Sequence, residues 1–255
     1  MAETLPATEQ TGGAAWSVGR HKLGWLATAA VAVAAPGAAE AGYTPPAGVT
    51  SYRLMFVSHD IYSQPGGQLY PTSTDIATYD AFVTAQAAQN ASLPSTTWSA
   101  LASTEAVDAR DHVSCGAVCD ASVPIYLIDG TTRVANTTNA LFDTANNELL
   151  KSPSEDQFGS FTQIYAWTGS NSDGTVYVGG EVGNPVTTMT GYSDFTGEGY
   201  IYALLGFPSD QFGYSFYGIS DPIEVSIPEP IGSAAFVLGG IAVTRVLRRR
   251  RRLDA

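Results

Sequence analysis

The segment YRLMFVS, residues 52–58, is rich in β-forming side chains and predicts the first strand of the fold. The segment QPGGQLYP, residues 64–71, then predicts a loop. Thr74 can cap a following helix. The negative charge of Asp75 is favourable next to it, at the positive N-terminal end of the helix. The apolar residues of that helix recur on one face: Ile76, Tyr79, Val83 and Ala87. We expect this helix to end by Leu93-Pro94.

After Leu93 the chain is rich in Ser, Thr, Gly, Asn and aromatic residues, with short apolar runs between turn residues. Further strands are predicted at residues 124–128, 163–167, 175–178, 199–205 and 214–219. Short helical turns are expected near residues 103–110 and 139–143. One early helix followed by many short strands and long loops predicts an α+β fold and not an alternating βαβ arrangement.

Both ends of the chain carry features of an exported protein. Arg20, His21 and Lys22 precede an apolar stretch, and small residues stand before Gly42, so residues 1–41 are predicted to be a signal peptide. At the other end, residues 231–247 are 17 residues with few charges and predict a transmembrane helix. Such a helix would span about 25 Å, slightly less than a ~30 Å hydrocarbon core.

The predicted helix is flanked by segments that set its orientation. The block Arg248, Arg249, Arg250, Arg251 and Arg252 makes residues 248–255 a basic cytoplasmic tail. Residues 222–230 contain three prolines and predict a stiff spacer. The predicted domain, residues 42–221, therefore faces outward.

The exported part of the chain is strongly acidic. Residues 42–230 contain four Arg and Lys against 20 Asp and Glu, which leaves a net charge of −16. Nucleic acid and heparin-like partners are therefore not expected, because both bind basic surfaces.

The chain has two cysteines, Cys115 and Cys119. Outside the cytoplasm they predict a small disulfide loop. A structural zinc site is the weaker alternative, since a second pair of ligands is missing. The spacing also differs from the C-x-x-C of redox motifs.

Few residues form a motif for catalysis or metal binding. Ser58-His59-Asp60 contains the residue types of a hydrolase triad, but neighbours in sequence rarely converge as a triad. Asn171 and Asp173 are weak calcium candidates, because their loop lacks the full spacing of a calcium motif. We therefore predict no catalytic residues and no cofactor, with calcium as the one alternative. Carboxylate pairs for glycoside hydrolysis stay open, since no motif singles out a pair.

Aromatic residues crowd the last third of the domain. They are Tyr192, Phe195, Tyr200, Tyr202, Phe207, Phe212, Tyr214, Phe216 and Tyr217. If exposed, such rings could stack on sugars or form a partner surface; the alternative is that they only build a core.

The C-terminal segment resembles the PEP-CTERM sorting signal of exopolysaccharide-producing Gram-negative bacteria. Pro228-Glu229-Pro230, the apolar run from Ile231 and the arginines from Arg248 match its three parts in order. The resemblance implies that an exosortase, an integral-membrane cysteine peptidase, recognises the tripeptide and processes the tail. The protein would then be held transiently in the inner membrane and afterwards reach the cell surface or extracellular matrix.

The domain resembles bacterial extracellular domains with an endostatin-like variant of the C-type lectin fold. The segments that carry this resemblance are YRLMFVS, TTWSALASTEAVDARDHV, VPIYLIDGTTRVANTTNALFD, AWTGSNSDGT and FYGISDPIEV. It implies one main helix, a twisted antiparallel sheet and long loops. A tryptophan and a cysteine that relatives often have after the TGSNSDGT loop are absent, as is the Trp-Asn-Asp strand of calcium-dependent sugar-binding lectins.

These features predict a non-enzymatic, exported cell-surface or matrix protein for recognition, adhesion or association with exopolysaccharide. Its expected partners are an exosortase-type peptidase and exopolysaccharide or cell-surface glycans. The alternatives are an extracellular hydrolase acting on polysaccharide or protein, and a structural envelope protein with no specific ligand.

Overall fold

A computed structural model describes residues 44–64, 67–143, 149–206 and 213–225, and these residues form an α+β fold. The strands of the described part are β1 Ser51–Val57, β2 Trp98–Ala100, β3 Ile125–Leu127, β4 Arg133–Ala135, β5 Tyr165–Trp167, β6 Thr188–Tyr192, β7 Leu204–Gly206, β8 Tyr217–Ser220 and β9 Ile223–Glu224. The helices are α1 Ala77–Ala87, α2 Ala109–His112, α3 Ala117–Ser122 and α4 Thr138–Leu141, with a short 3-10 helix at Glu198–Tyr200. The predicted α+β class is confirmed.

Strand β1 lies at the centre of the larger sheet. The strand order is β2-β8-β1-β3-β4, and β9 pairs with the start of β1. The pairing of β1 with β3 is parallel, whereas β8 runs antiparallel to β1. The sheet is therefore mixed, and the prediction of an antiparallel sheet was wrong for it. The reason is the long crossover through α1, β2, α2 and α3, which lets the chain return in the same direction.

Because side chains alternate between the two faces of β1, this strand contributes residues to two hydrophobic clusters. Leu54 and Phe56 face one cluster of buried residues, which includes Tyr79 and Val83 of α1. Met55 and Val57 face a second cluster on the opposite side of the sheet, with residues of β3, β4 and α4. Because both faces are covered, Tyr52 to Val57 are all buried.

Helix α1 is confirmed, with a different start. It begins at Ala77, and the Asp75 carboxylate accepts the Ala77 N–H at 3.1 Å, so Thr74 is not the cap. Tyr79 and Val83 are fully buried, as predicted from their spacing. The Tyr79 ring stacks on Phe216 with the ring centroids 4.8 Å apart, which fixes α1 against the sheet.

Other predicted elements were wrong in place or type. Residues 175–178 form no strand and contribute one isolated bridge, between Ser170 and Val176. Residues 199–205 divide between the 3-10 helix and β7. Strands β2, β4, β6 and β9 and helix α3 were not predicted, because segments of two to six residues carry too little periodicity.

Strands β5, β6 and β7 form a second, antiparallel sheet. Trp167 of β5 is fully buried and joins this sheet to the first core, since its ring contacts Tyr70 and Tyr214 at centroid distances of 5.2 and 4.6 Å. The cleft described below is lined by Tyr165 of β5 and Leu204 of β7.

The C-terminal end of the described chain is part of the domain. Strand β9 lies within the predicted spacer, and the Val225 N–H donates to the Thr50 carbonyl at 2.8 Å. The predicted signal peptide, transmembrane helix and basic tail lie outside the described residues. Among the ranges that the structure describes, no helix has the length and apolar character needed to span a membrane.

A buried arginine ties several elements to β1. Arg53 is 1% exposed, and its Nε donates to the Ser220 carbonyl at 2.6 Å. Its Nη1 donates to the Val113 carbonyl at 2.6 Å and to the Thr138 hydroxyl at 3.0 Å. Burial lowers the pKa of Arg53 to about 10, against the opposing charges of Asp221 and Asp120, so the side chain stays cationic at neutral pH.

We predict that Arg53→Ala lowers the free energy of unfolding by about 3–5 kcal/mol, because it leaves buried carbonyls unpaired and a cavity behind. The measurement is urea unfolding at pH 7 followed by circular dichroism. Arg133→Ala is the matched control, since this exposed arginine bonds the Tyr126 hydroxyl at the surface, and its loss should cost no more than about 1 kcal/mol. Equal losses for the two variants would contradict the prediction.

Candidate functional site

An open cleft on the second sheet brings aromatic and acidic side chains together. Its volume is about 580 Å³, and it lies between β5, β7 and the segment of residues 194–204. The larger side chains that line it are Tyr165, Asp194, Phe195, Glu198, Tyr202 and Leu204. This volume is within the ~300–1,000 Å³ range of small-ligand sites.

The strand register builds one wall of the cleft. Tyr165 of β5 stands opposite Tyr192 of β6, and their ring centroids are 4.9 Å apart. The Phe195 ring packs edge-on against Tyr192 at 5.2 Å. The three rings therefore support one another in a fixed arrangement.

Two glycines allow the 3-10 helix to approach this wall. A Cβ at Gly191 would overlap the Tyr200 carbonyl oxygen, and a Cβ at Gly199 would overlap the Phe195 ring. Tyr200 itself is fully buried, and its hydroxyl donates to the Leu141 carbonyl at 2.5 Å. The buried anchor and the two glycines together hold Glu198 and Tyr202 at the rim of the cleft.

The aromatic rings of the cleft are accessible to a ligand. Phe195 is 49% exposed, Tyr202 is 37% exposed and Leu204 is 48% exposed. Tyr177 lies beside Tyr202, with ring centroids 5.8 Å apart, and extends the aromatic surface beyond the cleft. Accessible rings on a rigid sheet can stack against the apolar face of a planar or cyclic ligand.

The polar groups of the cleft are mainly acceptors. The Asp194 carboxylate accepts a hydrogen bond from the Gln163 amide, and the Glu198 carboxylate is exposed on the 3-10 helix. None of the described residues that line the cleft is Lys or Arg. Such a site can accept hydrogen bonds from hydroxyl or ammonium groups.

Ser58, His59 and Asp60 do not assemble as a triad. The Ser58 hydroxyl donates to the Asp60 carbonyl, and the Asp60 carboxylate accepts from the amides of Gln86 and Gln89, both at 3.0 Å. The His59 Nδ1 instead lies 2.8 Å from Oδ2 of Asp156, a residue 97 positions away.

His59 and Asp156 form a pair in which the imidazole is exposed and the carboxylate is buried. The side chain of His59 is 59% exposed and that of Asp156 is 3% exposed. The other oxygen of Asp156 accepts the N–H groups of Phe158 and Ser160, both at 2.9 Å. Burial, with Asp129 and Asp156 nearby, raises the pKa of the neighbouring Glu155. This arrangement orients an imidazole at the surface, away from the cleft lining.

Cys115 and Cys119 form a disulfide bond at the start of α3. They lie beside Asp120, and the ligand atoms of the three residues are within 4.8 Å of one another. Because the disulfide occupies both sulfurs, neither thiolate is available to a metal ion. Asp120 instead accepts the Cys115 N–H at 2.9 Å and contributes charge near Arg53.

The calcium candidates Asn171 and Asp173 lie in one tight loop. The Asn171 amide donates to the Val176 carbonyl at 2.9 Å, and the Asp173 carboxylate accepts the Thr175 N–H at 3.0 Å. Although burial opposes it, hydrogen bonding from Thr175 lowers the pKa of Asp173. Both side chains hold the turn together.

The sorting tripeptide Pro228-Glu229-Pro230 and the arginines 248–252 lie outside the described residues.

Asn184-Pro185, the pair nearest to a lectin calcium tripeptide, also serves a local turn. The side-chain Oδ1 of Asn184 accepts the Val186 N–H at 2.9 Å, and its Nδ2 donates to the Glu181 carboxylate at 3.0 Å. Asn184 therefore stabilises the loop before β6.

The late aromatics that the structure describes divide mainly between core and cleft, whereas Phe207 and Phe212 lie outside the described residues. Tyr200, Phe216 and Tyr217 are buried, whereas Phe195 and Tyr202 are exposed in the cleft. Tyr165 and the acids Asp194 and Glu198 were not predicted as site residues. The signal that pointed toward them was the aromatic composition, which could not show which rings share a surface.

Comparison with protein-family models and with curated proteins finds no match for this chain. A function must therefore be inferred from the geometry of the cleft and from the sequence signals at the two ends.

Proposed function

We propose that this is a non-enzymatic, exported protein of the cell surface or extracellular matrix that binds glycans through the aromatic cleft. The observation that carries the proposal is the group of exposed rings, Phe195 and Tyr202, beside the carboxylates of Asp194 and Glu198. Rings stack on the apolar faces of sugars, and carboxylates accept hydrogen bonds from sugar hydroxyls. Recognition, adhesion and association with exopolysaccharide all require such a surface.

The resemblance to the endostatin-like variant of the C-type lectin fold supports this proposal. An α+β fold with one main helix and long loops is what the resemblance implies, and α1 is the main helix of the described part. In the proposed mode of binding, sugar recognition needs no calcium, because Asn184 and Glu181 bond to each other and to their own loop.

The two terminal segments support export and sorting. The proposed route begins with removal of residues 1–41 and a transient hold of residues 231–247 in the inner membrane of a Gram-negative bacterium. An exosortase-type peptidase then recognises Pro228-Glu229-Pro230. Because Val225 still bonds to the domain at Thr50, only a few residues separate the folded domain from the tripeptide. Cleavage would therefore release the domain with a short tail.

We predict that Phe195→Ala and Tyr202→Ala each weaken glycan binding about threefold to tenfold, because each removes one stacking surface. The measurement is retention of the purified full chain on exopolysaccharide and cell-surface polysaccharide from an exopolysaccharide-producing Gram-negative bacterium. Phe161→Ala is the control, since Phe161 is 65% exposed and does not line the cleft. No retention of the wild type on either preparation, with or without calcium, would refute the proposal.

A second prediction concerns the sorting signal. In its native host the mature wild-type protein should lack Arg248–Arg252, whereas the triple variant Pro228→Ala, Glu229→Gln, Pro230→Ala should keep them and stay in the inner membrane. Mass spectrometry of the mature C-terminus measures this, and Glu224→Gln serves as a control upstream of the motif. An intact arginine block on the surface protein would contradict sorting by cleavage.

One observation favours the alternative function, an extracellular hydrolase acting on polysaccharide or protein. The buried Asp156 orients the exposed His59 through Nδ1, which leaves Nε2 toward solvent as a general base requires. If the protein is a hydrolase, His59→Ala should lower turnover of its substrate at least 100-fold. His112→Gln is the control, because His112 pairs with Asp80 and is largely buried. Absence of turnover by the wild type on a panel of polysaccharides and proteins would rule this alternative out.

A further inference from the structure

The cleft has an acidic rim and lacks a neighbouring counter-charge among its lining residues. Asp194 and Glu198 are four positions apart in the chain and line the cleft together with Phe195, and the described lining contains no Lys or Arg. Glu198 is exposed, and Asp194 is partly buried with its carboxylate bonded to Gln163. A ligand in the cleft therefore meets two carboxylates and several ring faces at once.

Three of the four basic residues between positions 42 and 230 are engaged away from the cleft lining. Arg53 is buried in the core, and the Arg133 guanidinium lies over the Tyr126 ring at 5.2 Å. Arg110 lies between Asp108 and Asp111, at 3.9 Å from a carboxylate oxygen of each. Lys151 is exposed and follows Leu149, whose N–H donates to the Thr196 carbonyl at one end of the cleft. One basic side chain near that end can offset at most one of the two carboxylates, and the net charge of −16 of residues 42–230 already includes it.

This charge distribution discriminates between classes of glycan. A polymer of uronic acids would bring carboxylates against Asp194 and Glu198, and like charges repel at such distances. A neutral polymer would use the rings and donate hydrogen bonds from its hydroxyls to the carboxylates, with no charge pairing. A polymer with free amino groups would use the rings and also place ammonium groups beside the carboxylates and over the Phe195 and Tyr202 faces.

We propose that the ligand class of the cleft is an amino-sugar polymer that carries free ammonium groups, that is, a partly or fully de-N-acetylated one. This inference rests on the proposed glycan-binding function and specifies its ligand. Each surface ammonium–carboxylate contact is weak alone, but the cleft offers two carboxylates to successive sugar units, and Tyr177 extends the ring surface beside Tyr202. The preference should be electrostatic in origin and therefore sensitive to salt.

The test compares three oligomers of equal length: an N-acetylglucosamine oligomer, its de-N-acetylated counterpart and a uronic acid oligomer. The full chain is purified in detergent, and binding is measured by calorimetry at one fixed, mildly acidic pH. At low salt we expect the de-N-acetylated oligomer to bind at least about fivefold more tightly than the acetylated one, with the uronic acid oligomer the weakest. At about 0.5 M salt this preference should fall below about twofold.

Variants that neutralise carboxylates test whether the preference for the de-N-acetylated oligomer arises in the cleft. Asp194→Asn with Glu198→Gln should abolish the preference, because it removes both negative charges from the cleft and leaves the rings in place. Glu105→Gln with Glu224→Gln is the matched control, which removes the same charge from exposed positions that do not line the cleft. This control should retain the preference.

The outcomes separate this inference from the function on which it rests. Equal affinity for the acetylated and de-N-acetylated oligomers, or tighter binding of the acetylated one, overturns the inference and leaves glycan binding in place. A preference that survives in the Asp194→Asn, Glu198→Gln variant also overturns it, since the attraction would then come from the whole domain. Binding of none of the oligomers, together with no retention on exopolysaccharide, overturns both.

Discussion

The guanidinium of Arg53 is a cation in the middle of the sheet, and burying it costs several kcal/mol unless its donors are satisfied. The chain satisfies them with carbonyls at the end of β8 and after α2, and with the Thr138 hydroxyl at the start of α4. The charges of Asp221 and Asp120 offset part of the remaining cost. The N–H donors of a planar guanidinium point in fixed directions, so few arrangements of acceptors satisfy them. The segments that supply these acceptors must therefore hold fixed positions around β1.

The fold could be predicted from sequence where a segment was long and apolar on a clear face. Strand β1 and helix α1 meet that condition, and both were found, although the helix starts at Ala77 and not at Thr74. The mixed sheet could not be predicted, since the direction of β3 depends on a crossover whose path is set by tertiary contacts. Strands of three residues, such as β2 and β4, form because neighbouring strands pair with them. Their own sequences are too short to show the alternation of apolar and polar residues that predicts a strand.

The cleft shows the same limit at the level of single residues. Its aromatic character was visible in the composition, but Tyr165 and Tyr192 become neighbours only through the register of β5 and β6. Gly191 and Gly199 matter because they have no Cβ, and a sequence does not reveal which glycines are approached so closely. The pairing of His59 with Asp156 likewise depends on a contact between residues 97 positions apart. Composition therefore left an aromatic surface and an aromatic core as alternatives, and only the structure shows which rings belong to each.

A charged side chain that is buried in the domain contributes to its net charge but is not available to a binding partner. One of the four basic residues between positions 42 and 230, Arg53, serves the core and cannot act on a ligand. Arg133 is bonded to the Tyr126 hydroxyl, so its charge is also committed to the domain. The carboxylates of Asp194 and Glu198, in contrast, stand at an open cleft. Because these basic side chains are held by the domain while the cleft keeps its carboxylates, the cleft favours ligands that are neutral or cationic.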